Sequence, residues 1–73
     1  MAKQIVMDVS GDTQHEFDVK DPIGLDEAEK RFKELTGVGF TAAERTEGGQ
    51  SRQIKSFDPT VNETLFFPRL QGG

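Results

Sequence analysis

Five residues near the end of the chain, Arg69-Leu70-Gln71-Gly72-Gly73, combine types that suit a chemical role. Glycine has no Cβ, so a Gly-Gly segment is thin and free of the usual φ restriction. Such a segment can enter a narrow channel and present the carboxylate of Gly73 to an enzyme. A reactive carboxylate at the end of the chain is therefore one interpretation of Gly72 and Gly73. The alternative is a frayed end without a chemical role.

Other chemistry-bearing residues give weaker signals. His15 is the single histidine and the chain has no cysteine, so a metal site lacks the ligands it needs. We expect His15 to border the core. Asp26, Glu27 and Glu29 have the spacing of a solvated helix face with basic partners, not of a catalytic carboxylate pair. The sequence predicts no catalytic residue, no metal site and no bound cofactor.

Composition limits the function further. A chain of 73 residues forms one small domain, which buries only about 60% of its unfolded surface. Apolar residues make up 33% of it, and six phenylalanines must supply much of the core. A core and a deep substrate cavity do not both fit, so we expect a protein that is not an enzyme. The absence of cysteine means that any thioester would use a partner's thiol.

Charge and hydropathy indicate where the protein works. The formal charge of −4 disfavours binding to a phosphate backbone, so nucleic acid is not an expected partner. The N-terminal residues alternate in polarity and lack the apolar stretch of a signal peptide. No segment is long enough to span a bilayer. These features predict a cytoplasmic monomer.

The first two elements predicted are strands of a hairpin, joined by the turn Ser10-Gly11-Asp12. Their polar sides are expected to face water while one covering element shields the other side. The positions on the shielded side are Ile5, Met7 and Val9 in the first strand, and His15, Phe17 and Val19 in the second.

The covering element is a predicted helix that follows the break at Asp21-Pro22-Ile23-Gly24. Its apolar stripe consists of Leu25, Ala28, Phe32 and Leu35. Gly37 is suited to its C-terminal end. Asp26 and Glu27 are expected in the first turn, where the helix dipole favours negative charge. Three acid-to-base pairs at four-residue spacing are expected along the helix: Asp26–Lys30, Glu27–Arg31 and Glu29–Lys33.

Three further strands are predicted after the helix. The first covers residues 41–46, and the turn Glu47-Gly48-Gly49-Gln50 leads to a returning strand at residues 52–57. The last is a short apolar strand around residues 64–67, before Pro68. Phe66 and Phe67 are adjacent in it and must therefore face opposite sides.

The order of elements and the Arg69-Leu70-Gln71-Gly72-Gly73 segment together resemble ubiquitin and the ubiquitin-like modifiers. The resemblance implies an α+β protein with the ubiquitin-like β-grasp fold, in which one helix packs on a four- to five-stranded mixed sheet. Residues 1–67 would form the domain and residues 68–73 a flexible tail. In that fold the last strand pairs with the first and lies centrally. Leu65 or Phe67 would then lie in the core, opposite Leu25 and Phe32, and pairing would stop before Pro68.

The resemblance also implies a function. An adenylating (activating) enzyme would use ATP to activate Gly73, and a conjugating enzyme would transfer it to amines on target proteins. A deconjugating protease is a further expected partner. Arg69, Leu70 and Gln71 would contact these partners.

Two alternatives stay open on the sequence. Small sulfur carriers share the fold and the two glycines, and hold a thiocarboxylate at the position of Gly73. A non-covalent β-grasp interaction module, whose glycines have no chemical role, is the other.

Overall fold

The computed structural model describes residues 1–46 and 48–68. Its elements are β1 (Ala2–Asp8), β2 (Gly11–Phe17), α1 (Pro22–Gly37), β3 (Phe40–Arg45), β4 (Ser51–Ile54) and β5 (Glu63–Pro68). The strands form one five-stranded sheet in the order β2-β1-β5-β3-β4. The predicted series of elements is therefore confirmed, although β4 ends at Ile54, three residues before the predicted position.

β5 lies at the centre of the sheet. It runs parallel to β1, with Lys3 opposite Glu63 and Val6 opposite Phe66. It runs antiparallel to β3, with Phe40 opposite Pro68. The sheet is therefore mixed, and the prediction that the last strand pairs with the first is confirmed. One helix on a five-stranded mixed sheet in this order is compatible with a β-grasp.

α1 begins earlier than the charge pattern predicted. Asp21 is its N-cap, and the carboxylate accepts a hydrogen bond of 3.1 Å from the amide of Ile23. Pro22 takes the first helical position, where an amide proton is not needed. Asp26 and Glu27 therefore lie in the second turn, and their predicted place in the first turn is wrong. Asp21 supplies the negative charge at this end instead.

Two of the three expected ion pairs on α1 form. Lys30 lies 3.1 Å from Asp26, and Lys33 lies 3.7 Å from Glu29. The predicted pair with Glu27 is wrong, because Arg31 points to the sheet and donates from Nη1 to Oε1 of Gln4 at 2.8 Å. An arginine counted as part of the solvated face thus belongs to the helix–sheet contact.

The face of β1 that the helix covers is the opposite of the predicted one. Ala2 and Gln4 are buried there, paired across the hairpin with Phe17 and His15. Ile5 and Met7 therefore lie on the other face, and Val9 is fully exposed in the turn after β1. The prediction is wrong because Gln4, a polar residue assigned to water, is buried with its hydrogen bonds satisfied.

The same one-residue shift appears in β5. Phe66 is fully buried, and its ring lies 5.6 Å from the ring of Phe32 on α1. Leu65 is also buried but lies on the opposite face, and Phe67 is 37% exposed there. The prediction that Leu65 or Phe67 faces the helix is therefore wrong.

Phe57 connects the two parts of the core. One cluster contains Ala2, Phe17 and Ala28, and the other contains Phe32, Ala42 and Phe66. The ring of Phe57 lies 6.1 Å from that of Phe17 and 6.0 Å from that of Phe32. Edge-to-face and tilted rings at these distances are favourable. The segment after β4 is thereby fixed to the domain although it is not a strand.

Pro68 is the last residue of β5 and pairs with Phe40, so pairing with β3 reaches it. The expectation that pairing stops before Pro68 is therefore wrong. Proline is tolerated here because it stands at the end of the strand, where β1 no longer pairs with β5 beyond Phe66.

We expect Phe66→Ala to lower the free energy of unfolding by about 3–5 kcal/mol, because it leaves a cavity against Phe32. Phe67→Ala is the matched control and should cost much less, since that ring is partly exposed. Urea titration followed by circular dichroism measures both. If Phe66→Ala is already unfolded without urea while Phe67→Ala is folded, this result also supports the assignment of Phe66 to the helix face. Equal losses would contradict the assignment of Phe66 to the helix face.

Candidate functional site

The residues predicted to react or to bind partners are Arg69, Leu70, Gln71, Gly72 and Gly73, and they lie outside the described residues. The structure describes the residue that directly precedes these five. That residue is Pro68, at the end of the central strand and beside Phe40. Because β5 is held on both sides, the origin of the segment is fixed relative to the whole sheet.

An apolar surface lies on the sheet face that α1 does not cover. We call Ile5, Met7, Leu65 and Phe67 the open-face patch. Ile5 and Leu65 are directly opposite each other in the register, and Ala43 flanks Leu65 on the other side. Phe67 is the most exposed large ring of the described residues, and it directly precedes Pro68.

The border of the open-face patch is charged. Arg45 lies 3.2 Å from Glu63 on this face, at the end of the sheet remote from Pro68. Exposed pairs of this kind contribute less than about 1 kcal/mol and can be exchanged for a partner's charges. Ile5, Met7 and Phe67 are partly exposed in the patch, and Leu65 is buried among them. The patch therefore combines a small apolar surface with one replaceable ion pair, as protein contact surfaces do.

The contact between helix and sheet contains a buried polar group that sequence reasoning missed. Gln4 has no exposed surface, and its Nε2 donates to the carbonyl oxygen of Ala28 at 3.0 Å. Its Oε1 accepts from Arg31. Within the described residues, no buried side-chain nitrogen or oxygen lacks a partner. A strand pattern gives no signal for such a glutamine, because the residue type is exposed in most strands.

His15 lies beside this group, opposite Gln4 in the hairpin, and is half-buried. Burial lowers the pKa of its imidazole below the ordinary 6.5, and the positive charge of Arg31 lowers it further. The imidazole is therefore neutral at pH 7. Residues 1–46 and 48–68 contain no group of three or more His, Asp or Glu side chains placed to hold a metal ion.

Comparison with known proteins gives no relative. No protein family matches the chain, and neither a curated protein nor a solved structure is similar to it. In the part of the chain that the structure describes, no helix has the length and apolar character needed to cross a membrane.

We expect the stability of the domain to fall between about pH 7.5 and about pH 5 through His15. Because its pKa is lower in the folded protein than the ordinary 6.5 of an unfolded chain, the unfolded state binds the proton more tightly. The contribution of the neutral imidazole is complete above that value and is lost as the pH falls below it. Urea midpoints at the two pH values measure the effect.

His15→Gln is the matched control and should make stability nearly constant over this range. Asp8 and Asp58 do not interfere, because hydrogen bonds lower the pKa of each carboxyl below the ordinary 3.8. Their contributions are lost only in more acidic solution. If His15→Gln kept the full decrease between pH 7.5 and pH 5, the assignment to His15 would be wrong.

Proposed function

We propose that this protein is a ubiquitin-like modifier with the β-grasp fold. In this proposal the carboxylate of Gly73 is activated by an adenylating enzyme and joined to amines on target proteins. The observation that carries it is the central C-terminal strand β5, parallel to β1 and covered by one helix, which leads at Pro68 into Arg69-Leu70-Gln71-Gly72-Gly73. The order of the strands and the sequence motif after Pro68 support the proposal together.

The chemistry needs partners because a carboxylate is a poor electrophile. An oxygen of Gly73 attacks the α-phosphate of ATP, and pyrophosphate leaves. A cysteine thiolate of the partner then attacks the acyl carbon and AMP leaves, which gives a thioester. A target amine displaces the thiol and forms an amide bond. The sulfur must come from the partner, since this chain has no cysteine.

The chain's own contribution is shape and recognition. Side chains on Gly72 or Gly73 would collide with a channel that admits only backbone. Arg69, Leu70 and Gln71 contact the activating enzyme in this proposal, and the open-face patch reaches Phe67, the residue before Pro68. The reacting carboxylate is that of Gly73 whether the chain ends there in the cell or a protease exposes it.

We expect Gly73→Ala to impair activation and Gly72→Ala to impair it more, because a Cβ at position 72 lies between the channel walls, whereas position 73 is at the reacting end. Neither should change the free energy of unfolding. Gly37→Ala is the matched control, since an added Cβ there meets no atom within 4 Å. ATP-dependent formation of an adenylate or thioester with the host's activating enzyme is measured by mass spectrometry. Wild-type rates in both tail variants would refute the channel.

Conjugation in the host leaves a specific trace. Trypsin cleaves after Arg69, so a modified lysine should carry the four residues Leu70-Gln71-Gly72-Gly73 as a branch. We expect peptides with this branch from cells that make the chain. From cells that make the Gly73→Ala variant we expect far fewer branched peptides, counted as those with alanine at the last position of the branch.

Two outcomes would select the alternatives. A gain of sulfur in place of oxygen at Gly73, without branched peptides, would indicate a sulfur carrier. Full biological activity after deletion of Gly72 and Gly73 would indicate a non-covalent interaction module.

A further inference from the structure

A notch of about 450 Å³ lies between the start of α1 and the segment after β4. Its residues are Pro22, Leu25, Asp26 and Glu29 from the helix, with Phe57 and Pro59 from the facing segment. The helical positions are spaced by three and four residues, so they form one stripe along the first two turns. We call this site the α1 notch.

The floor of the α1 notch is apolar and held in place by the core. Leu25 packs on the cluster of Ala2, Phe17 and Ala28. Phe57 packs on the rings of Phe17 and Phe32 and keeps part of its surface outside the core. The two prolines at the rim have fixed φ angles. Binding of a ligand in the notch therefore costs little conformational entropy, because the protein groups around it are already ordered.

The rim of the notch is negatively charged. Asp26 and Glu29 belong to it, and their side chains are 61% and 48% exposed. Asp58 lies between Phe57 and Pro59 in the chain but does not line the notch, and hydrogen bonds from the hydroxyl and amide of Thr60 hold its carboxylate. The same bonds lower its pKa, so it is ionised throughout the neutral range.

The lysines that neutralise this rim are replaceable. Lys30 and Lys33 pair with Asp26 and Glu29 through side chains that are 70% and 73% exposed. Exposed helix pairs at this spacing contribute only about 0.3–0.5 kcal/mol each. An incoming arginine, which can form two parallel hydrogen bonds to a carboxylate, competes well with them.

We propose that the α1 notch binds a segment of a partner protein in which one bulky apolar side chain is flanked by basic residues. The apolar side chain lies on Leu25 and Phe57, and the basic residues pair with Asp26 and Glu29. The carboxylates of Asp26 and Glu29, once released from their lysines, are complementary to a basic peptide. The net charge of −4 on the whole chain disfavours nucleic acid and anionic lipid as the occupant. This site does not depend on the chemistry of Gly73.

The test is a titration of the ¹⁵N-labelled protein with a capped peptide of one leucine between two pairs of arginines. We expect amide shifts concentrated in residues 22–29 and 57–60. Asp26→Asn with Glu29→Gln should weaken the peptide roughly fivefold to tenfold, from the loss of two exposed charge pairs. Asp12→Asn with Glu16→Gln, both exposed on β2, is the matched control with the same change in net charge. It should leave the affinity within about twofold, because these residues lie outside the notch.

Several results would overturn the proposal. If the two double variants weakened peptide binding equally, the peptide would be attracted by the net negative charge of the whole chain and not by the notch. Equal binding of a peptide with serine in place of leucine would show that the apolar floor is unused. Shifts centred elsewhere, or none at millimolar peptide, would show that the notch is not a binding site.

Discussion

The buried amide of Gln4 determines which face of the sheet the helix covers. Both polar atoms of this side chain need partners, and only α1 supplies them, through the carbonyl oxygen of Ala28 and the guanidinium of Arg31. Leaving such a group without partners would cost about 1–3 kcal/mol, a large part of the stability of a small domain. The contact is therefore specific, whereas burial of a leucine at the same position would tolerate rotation of the helix.

The face of β1 on which Gln4 lies determines which residues of the neighbouring strand β5 face the helix. Paired residues share a face, so burial of Gln4 places its partner Thr64 on the helix side of β5. Phe66, two residues later, then meets Phe32, and Leu65 and Phe67 must lie on the open face. The open-face patch is thus a consequence of a polar interaction on the other side of the sheet. The point at which β5 ends is set by the same register.

The helix and the turns were predictable because their signals are local. The stripe that contains Ala28 and Phe32 has a helical period, and both residues are buried as expected. Gly48 and Gly49 have positive φ, which only glycine adopts readily, at the predicted turn. The sheet face was not predictable, since a strand pattern shifted by one residue fits nearly as well when both sides contain apolar residues. The burial of Gln4 determines which face meets the helix, although the polarity pattern of the strand predicts the opposite face.

Residue types alone identified the candidate site at Gly72 and Gly73, and no property of the fold could have replaced that signal. The reverse holds for the α1 notch, which depends on Phe57 being carried back to the helix by a segment that reads as a strand in the sequence. Its carboxylates Asp26 and Glu29 were recognised, but as a solvated face. Only the tertiary position of Phe57 gives that face an apolar floor.

The two candidate surfaces lie on opposite layers of the domain. The α1 notch belongs to the helix layer, and the open-face patch lies on the sheet face that α1 leaves uncovered. The sheet stands between them, so a partner bound on one layer does not block the other. In the proposed modifier, attachment through Gly73 continues from the end of β5, beside Phe67 of the open-face patch, and the α1 notch lies on the other layer. In such a protein, activation and recognition after attachment are separable, since they depend on different residues.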